Sequence, residues 1–362
     1  MEAKVSHTMI RARVLTTYPI SDASRRLRIE PLIEELRARG VLVQVHELLD
    51  AKAFSRKNGT RLSKVLAATS LLAHLFQRLL LIPRRTDLLI VHREAFPFFT
   101  PLLERLAVKF ARVSILDIDD AVYTEPTHVR DWRSLLRDPG GALMFPALFK
   151  FILCGNPKLQ AGFMGGKAIS LFSPTCPSPA VLALNRVPAT PRILLWTGSQ
   201  STLGSLQLVL SEVLSACHAE NLYLHVLGGN NIRDLSPHPR LIAEKWSQSR
   251  ERELLLQATA GIMPLPDTEW ERGKSGYKAI LYLYAGLTAI VSPVGINEDL
   301  CTDYYPAAVA CAPGEWAKTI REVLGGATLA AERETKWEQA RNRFDSVSNA
   351  STVVETLLAS LK

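Results

Sequence analysis

Along this chain, short runs of alternating or continuous apolar residues repeatedly give way to longer runs with apolar positions three and four apart. The first pattern is that of strands and the second that of amphipathic helices. Residues 12–17 read as a strand. RRLRIEPLIEELRARG reads as a helix with Leu32, Ile33 and Leu36 on its apolar face and Gly40 as its stop. VLVQVHEL, DLLIVHREAFPFF and VSILDIDDAVY continue as strands, with PLLERLAVKFA a helix before the third, and KFILCGNPKLQ is taken as the last strand of a first domain. RILLWTGSQST and LYLHVLGG open a second series, and LIAEKWSQSRERELLLQATAGIMPL repeats helix and strand. CTDYYPAAVACAPGEWAKTIREVLGG adds a strand and a helix, and KWEQARNRFDSVSNASTVVETLLASLK reads as a long helical tail. Strands alternating with helices imply an α/β chain built on parallel sheets.

The two series are separated by residues 174–191, which hold Pro174, Pro177, Pro179, Pro188 and Pro191. That density excludes a long helix and marks a linker. The predicted division is therefore a Rossmann-like domain over 1–175, a linker over 176–191, a second Rossmann-like domain over 192–335 and a tail over 336–362. At 362 residues the chain suits two domains rather than one. The loop after the first strand, TYPISDASRR, carries no G-x-G-x-x-G, so a dinucleotide fingerprint is absent.

One helical run admits two readings. Val65, Leu66, Thr69, Leu72, Phe76 and Leu79 keep helical spacing, with Lys57, Arg61 and Lys64 before them and Arg84 and Arg85 after. Such a helix either packs on a core or lies on an anionic membrane surface. Charge bears on the choice. The net charge is +8, but residues 1–185 carry 26 Lys and Arg against 16 Asp and Glu, while the remainder is slightly acidic. A basic first half points to an anionic partner, and with no nucleic-acid motif in the chain no nucleic-acid partner is expected. Five cysteines without a C-x-x-C pair fit a reducing compartment and neither a disulfide framework nor a zinc site. With no signal-type leader and no apolar run of membrane-spanning length, a cytoplasmic protein is expected, reversibly peripheral at the inner membrane face if the helix lies on lipid.

Candidate chemistry gathers where strands end. GIMPLPDTEWERGKSGYKAILYLYAGLTAIVSPVG reads as strand, loop, helix and strand. The loop places Lys274, Gly276 and Lys278 at a helix amino terminus, where free N–H groups and the helix dipole favour an anion such as phosphate. Gly198 and Ser199 leave one strand of the second domain and Gly228 another, with backbone N–H groups suited to diphosphate oxygens. In the first domain the strand exits carry Arg25 and Arg28, then His92, Arg93 and Glu94, then Asp117, Asp119 and Asp120. The aspartates invite a metal reading, since hard cations take oxygen ligands. They can equally bind acceptor hydroxyls or hold the loop.

The segment MPLPDTEWERGKSGYKAILYLYAGLTAIVSPVGINEDL resembles the donor-binding segment of retaining glycosyltransferases of family 4, in particular a subgroup with a Lys-x-x-x-Lys loop before a Tyr-x-x-Ala-Gly helix end. Arg-Glu and Asp-x-Asp-Asp occur in that subgroup where Arg93–Glu94 and Asp117–Asp120 stand here. The resemblance implies the GT-B fold: two Rossmann-like domains with parallel sheets facing a deep interdomain cleft, and a tail crossing back to the first domain. It implies a nucleotide-sugar donor on the second domain, with Trp246 at the base-contact position. It also implies a glycan or lipid-linked acceptor on the first, in surface polysaccharide or glycoconjugate synthesis. On this reading Lys274, Lys278, Asp119 and Asp120 are the catalytic candidates, metal is not required, and no cofactor is needed beyond the nucleotide-sugar co-substrate. The chain departs from the family at the usual glutamate pair, whose positions fall on Gly273 and Leu281. That departure keeps open a non-catalytic protein that binds nucleotide-sugar or a partner enzyme. A nucleotide-sugar 2-epimerase is a third reading, for which no carboxylate and histidine set is found.

Overall fold

A computed structural model describes residues 9–56, 61–95, 101–121, 124, 144–163, 167–181, 189–190, 192–199, 202–228, 235, 237–325 and 330–362. It divides into two compact units, Met1–Pro174 with Val347–Lys362, and Thr175–Ser346.

The first unit holds β1 (Arg11–Thr16), β2 (Leu42–Glu47), β3 (Thr86–His92), β4 (Ala111–Ile118), β5 (Phe151–Cys154) and β6 (Ile169–Phe172), ordered β2-β1-β3-β4-β5-β6. Every pairing is parallel. Parallel strands bury both faces, which is why their sequences are runs of Val, Ile and Leu rather than strict alternations. Val14, Ile90, Ile115 and Leu153 of the sheet pack with Ile33 and Leu36 of the Glu30–Ala38 helix and with Val353, Val354 and Leu357 of the Ser346–Ala359 helix. KFILCGNPKLQ is not the last strand of this unit. β6 follows it, a four-residue strand with one exposed and three half-buried positions, too short to stand out as a core strand.

The second unit holds β7 (Arg192–Thr197), β8 (Leu222–Gly228), β9 (Leu241–Lys245), β10 (Ala260–Met263), β11 (Thr288–Val291) and β12 (Ala308–Ala310), ordered β12-β11-β10-β7-β8-β9 and again all parallel. LIAEK, expected to begin with helix, is the edge strand β9, followed by the Gln248–Gln257 helix. The terminal run is two helices, Ala330–Arg343 and Ser346–Ala359. The first is fixed to the second unit: Trp337 Nε1 donates to Leu287 O at 3.1 Å and Arg341 Nε to Tyr284 O at 3.2 Å. Residues 336–346 thus belong with the second unit, and only the last helix packs on the first.

Both sheets reverse strand order once, between β1 and β3 and between β7 and β10. At such a switch point the loops leave in opposite directions and open a crevice at the carboxyl ends of the strands. The candidate residues lie at the carboxyl ends of the strands at and beside these two places, with Asp117–Asp120 at the end of β4 and Gly228 and Trp246 at the ends of β8 and β9.

Candidate functional site

In the first unit the loop after β1 feeds a π-helical turn, Arg25–Ile29, that continues as the Glu30–Ala38 helix. This turn aims Arg28 back at β4. Its guanidinium Nε sits 3.1 and 3.0 Å from the two oxygens of Asp117, Nη2 also donates to Asp117, and Nη1 donates to Ser173 O at 2.7 Å. Both side chains are buried. Arg93 follows β3 at φ +64, a left-handed conformation that costs a non-glycine residue energy. The turn brings its guanidinium onto Asp119, at 2.6 and 2.8 Å, and within 2.9 Å of Asp120. Burial works to raise the Asp119 pKa, yet the Arg93 guanidinium holds the carboxyl well below the usual range.

Ser24 links the two loops. Its hydroxyl donates to Asp119 and lies 2.8 Å from His92 Nε2. A hydroxyl has one proton to give, so His92 Nε2 is the donor in that second contact. Burial, opposed by Asp117 and Asp119, pushes the imidazole down to about 4, so it is neutral with its lone pair on Nδ1. That buried Nδ1 has no hydrogen-bond partner among the described residues. Arg25 is buried against Glu30 at 2.7 Å, and Glu94 is half-buried with its N–H on His92 O. Arg28, His92, Arg93, Asp119 and Asp120 are therefore brought together. Arg25 instead braces its own helix. Asp117, the aspartate of a metal reading, is matched by Arg28, and Asp119 and Asp120 by Arg93.

The second unit builds a corner around Trp196 at the end of β7. Gly198 lies against this ring, close enough that a Cβ there would meet the indole carbon Cη2 at 2.7 Å. The Lys278 ammonium stands 5.4 Å from the ring centroid, in cation–π range. Lys278 belongs to the Tyr277–Tyr284 helix, which starts at Gly276 with φ +66. A side chain at Gly276 would be strained by that φ and would press on Ile296 at 2.4 Å, so glycine is needed for the loop to turn into the helix. The helix is pinned to the sheet by Tyr282, whose hydroxyl accepts from Thr197 N at 3.2 Å and donates to Ile262 O at 3.4 Å. The ladder between β7 and β10 stops after Gly261–Leu195, and the Tyr282 hydroxyl takes over there.

Lys274 is ion-paired with Glu271, a fully buried carboxylate on the short Glu269–Arg272 turn. Burial, then repulsion from Lys274, pushes Lys278 down to about 7, with Glu271 pulling the other way. Two lysines thus share one carboxylate. On the other side of β7, Thr197 Oγ1 and Trp246 Nε1 both donate to Glu251 Oε1, at 2.7 and 3.0 Å. Trp246 is half-buried, and its backbone N–H donates to Gly228 O at 2.7 Å. Ser199 is exposed, and its carbonyl takes the N–H and hydroxyl of Thr202. Gly198 and Lys278 converge on the Trp196 corner, and Lys274 and Gly276 stand on the loop just before Lys278. Gly228 and Trp246 meet each other across β8 and β9. Of the pair of positions that lack glutamates, Leu281 is 1% exposed and packed in the core, and Gly273 caps the Glu269–Arg272 turn.

Sequence reasoning missed Ser24, Trp196, Glu251, Glu271 and Tyr282. Glu271 was detectable, because Thr268-x-x-Glu271 is a capping-box spacing, and Thr268 Oγ1 does accept from the Glu271 N–H at 3.3 Å. Trp196 carries no such signal, since it sits in an apolar run that reads only as core, and Tyr282 stands out only as the tyrosine of the Tyr-x-x-Ala-Gly helix end.

By sequence the chain matches no protein-family model and no curated protein. By structure it is similar to a glycosyltransferase from Rickettsia africae, at TM-score 0.68 and 13% identity over 98% of this chain and 100% of that one. It is also similar to a UDP-forming α,α-trehalose-phosphate synthase from Burkholderia vietnamiensis, at 0.64 and 12% over 98% and 99%. A third likeness is to the Anabaena protein HepE in complex with UDP and glucose, at 0.62 and 12% over 97% and 100%. At these identities the likeness is one of fold: the α/β, two-unit Rossmann-like architecture known as GT-B.

Proposed function

We propose that the protein is a retaining glycosyltransferase of the family 4 kind, moving a sugar from a nucleotide-sugar to a glycan or lipid-linked acceptor, in the cytoplasm and without a metal. The observation that carries this reading is the Trp196 corner, where Lys278 is held half-buried beside Lys274 with one carboxylate between them. Such a site is short of negative charge, and a diphosphate at the amino end of the Tyr277–Tyr284 helix supplies it. The nucleoside diphosphate and the sugar held together by the similarly folded Anabaena protein, UDP and glucose, support the same class of donor.

In the proposed reaction the bond from the sugar anomeric carbon to the diphosphate oxygen breaks, and the electron pair leaves with the diphosphate. A bond forms on the same face of the sugar to an acceptor hydroxyl oxygen, whose proton passes to the departing phosphate oxygen. Negative charge grows on the diphosphate as it leaves, so Lys278, Lys274 and the Gly198 and Ser199 N–H groups lower the barrier most at that moment. His92, Arg93, Glu94, Asp119 and Asp120 face the acceptor in this scheme, the carboxylates receiving hydroxyl protons in hydrogen bonds.

A second reading, a protein that binds nucleotide-sugar without turning it over, is favoured by Leu281, whose burial leaves no polar group where the family has a glutamate. A thermal-shift panel of UDP-, GDP-, ADP- and dTDP-glucose tests binding, since a donor at 100 times its Kd stabilises by about 2.7 kcal/mol. Release of nucleoside diphosphate from the stabilising donor separates the two readings. No shift with any of the four contradicts both.

A further inference from the structure

The Arg61–Leu81 helix of the first unit turns its apolar stripe outward. Leu62 is 70% exposed, Leu72 62% and Phe76 63%, with Val65, Leu66 and Leu80 exposed between and beside them. At helical spacing these fall on one face, which runs nearly the whole length of a helix about 31 Å long. A core-packed helix would bury that stripe. Here the opposite face is the one fixed to the protein, through Ala67 and above all Arg78. Arg78 is buried and donates to three carbonyls, those of Ala95, Thr16 at 2.7 Å and His46 at 2.6 Å. Burial pushes it down to about 10, with Glu104 opposing, so the guanidinium stays charged and the clamp holds. The orientation is therefore set by a charged anchor rather than by the apolar residues, which are left facing water.

The charge around the stripe selects its occupant. Residues 51–86 contain eight Lys and Arg and no Asp or Glu. Arg84 and Arg85 are exposed just beyond the end of the helix. No helix among the described residues is long and apolar enough to cross a membrane. A rigidly held apolar face within a purely basic stretch is the arrangement that rests in the headgroup boundary of an anionic bilayer.

We propose that the Arg61–Leu81 helix is a docking surface for anionic lipid, with Leu62, Val65, Leu72 and Phe76 inserting at the acyl boundary and Arg84 and Arg85 meeting the headgroups. This goes beyond the proposed transfer reaction and stands without it. The attraction is screened over about 8 Å at physiological salt, so attachment is reversible and falls with ionic strength.

The test is co-sedimentation of the full chain with vesicles of phosphatidylcholine alone or with 30% phosphatidylglycerol, at low and at high salt. Wild type pellets with the anionic vesicles at low salt and is released at high salt. Arg84→Glu with Arg85→Glu weakens binding at least about 25-fold, about fivefold for each basic residue lost at the surface. Leu72→Gln with Phe76→Gln weakens it at least about tenfold and leaves the melting temperature unchanged, because both side chains are exposed. Absence of wild-type binding at low salt, or equal binding by wild type and both variants, overturns the proposal. So does loss of a dimer in the Leu72, Phe76 variant with no vesicle binding by wild type, which would make the face a contact between proteins.

Discussion

The two switch points answer the same topological problem with opposite charge balances. After β3 and β4, three carboxylates, Asp117, Asp119 and Asp120, are held by two guanidiniums, Arg28 and Arg93. After β10, two lysines are held by one carboxylate, Glu271. In the first arrangement the carboxylates outnumber the guanidiniums, which leaves excess acceptor capacity that suits hydroxyl groups. The second sets two lysines against one carboxylate, with Lys278 half-buried over the Trp196 ring, which suits an anion. A nearly compensated network braces a fold, and an uncompensated one costs energy until a ligand arrives.

The largest expected effect is on the compensated side. Arg28→Met should cost about 3–5 kcal/mol of stability, because it strands the Asp117 carboxylate in the core. Combining it with Asp117→Leu should recover most of the loss, as read by urea unfolding. A single variant as stable as wild type would mean that the pair is no brace.

On the uncompensated side the effect moves from stability to rate. Lys278→Met should lower kcat by about 2.7–4 kcal/mol of transition-state stabilisation while leaving the melting temperature equal or higher. A melting temperature that collapses together with the rate would place Lys278 with the braces.

The protonation of His92 sharpens the same contrast. An unfolded histidine takes its proton near 6.5, whereas folded His92 refuses it until about 4. Its contribution is therefore complete above pH 6.5 and is lost as the pH falls toward 4, by about 3 kcal/mol. His46 and His225 are also pushed down by burial and add to the slope. His92→Gln should flatten the stability profile between pH 4 and 6.5 without abolishing it, and an unchanged profile would show that the imidazole is not held neutral.

The smallest effect is geometric. Gly276→Ala should cost about 1–3 kcal/mol, from the positive φ and the contact with Ile296, and should weaken nucleotide binding beyond that by displacing Lys278. Chemical denaturation and a donor titration of the same variant read the two parts separately.

Much of this was legible in the sequence for physical reasons. Strand and helix periods are local, so the alternation that builds β1 to β5, β7, β8, β10 and β11 shows in the chain itself. Lys274, Gly276 and Lys278 show because a loop, a glycine and a helix start are adjacent in sequence. β6 and the edge strand β9 do not, because sheet membership there rests on a neighbour rather than on their own pattern. The partnerships were also invisible: Ser24 reaches Asp119 across 95 positions and Thr197 meets Tyr282 across 85. The Leu62–Leu80 stripe marks a limit of another kind. Periodicity reveals that a helix has an apolar face, and only the fold reveals which way that face looks.

The claim that the Trp196 corner takes a diphosphate is tested most directly by calorimetry. The full chain is titrated with UDP, GDP, ADP and dTDP at pH 8 in two buffers of different ionisation enthalpy. Free Lys278, with a pKa of about 7, is mostly neutral at that pH and must gain a proton to meet the anion. Binding of at least one diphosphate with uptake of about one proton, lost in Lys278→Met together with at least about tenfold in affinity, is the predicted result. No binding of any of the four, or proton uptake unchanged in Lys278→Met, would contradict it.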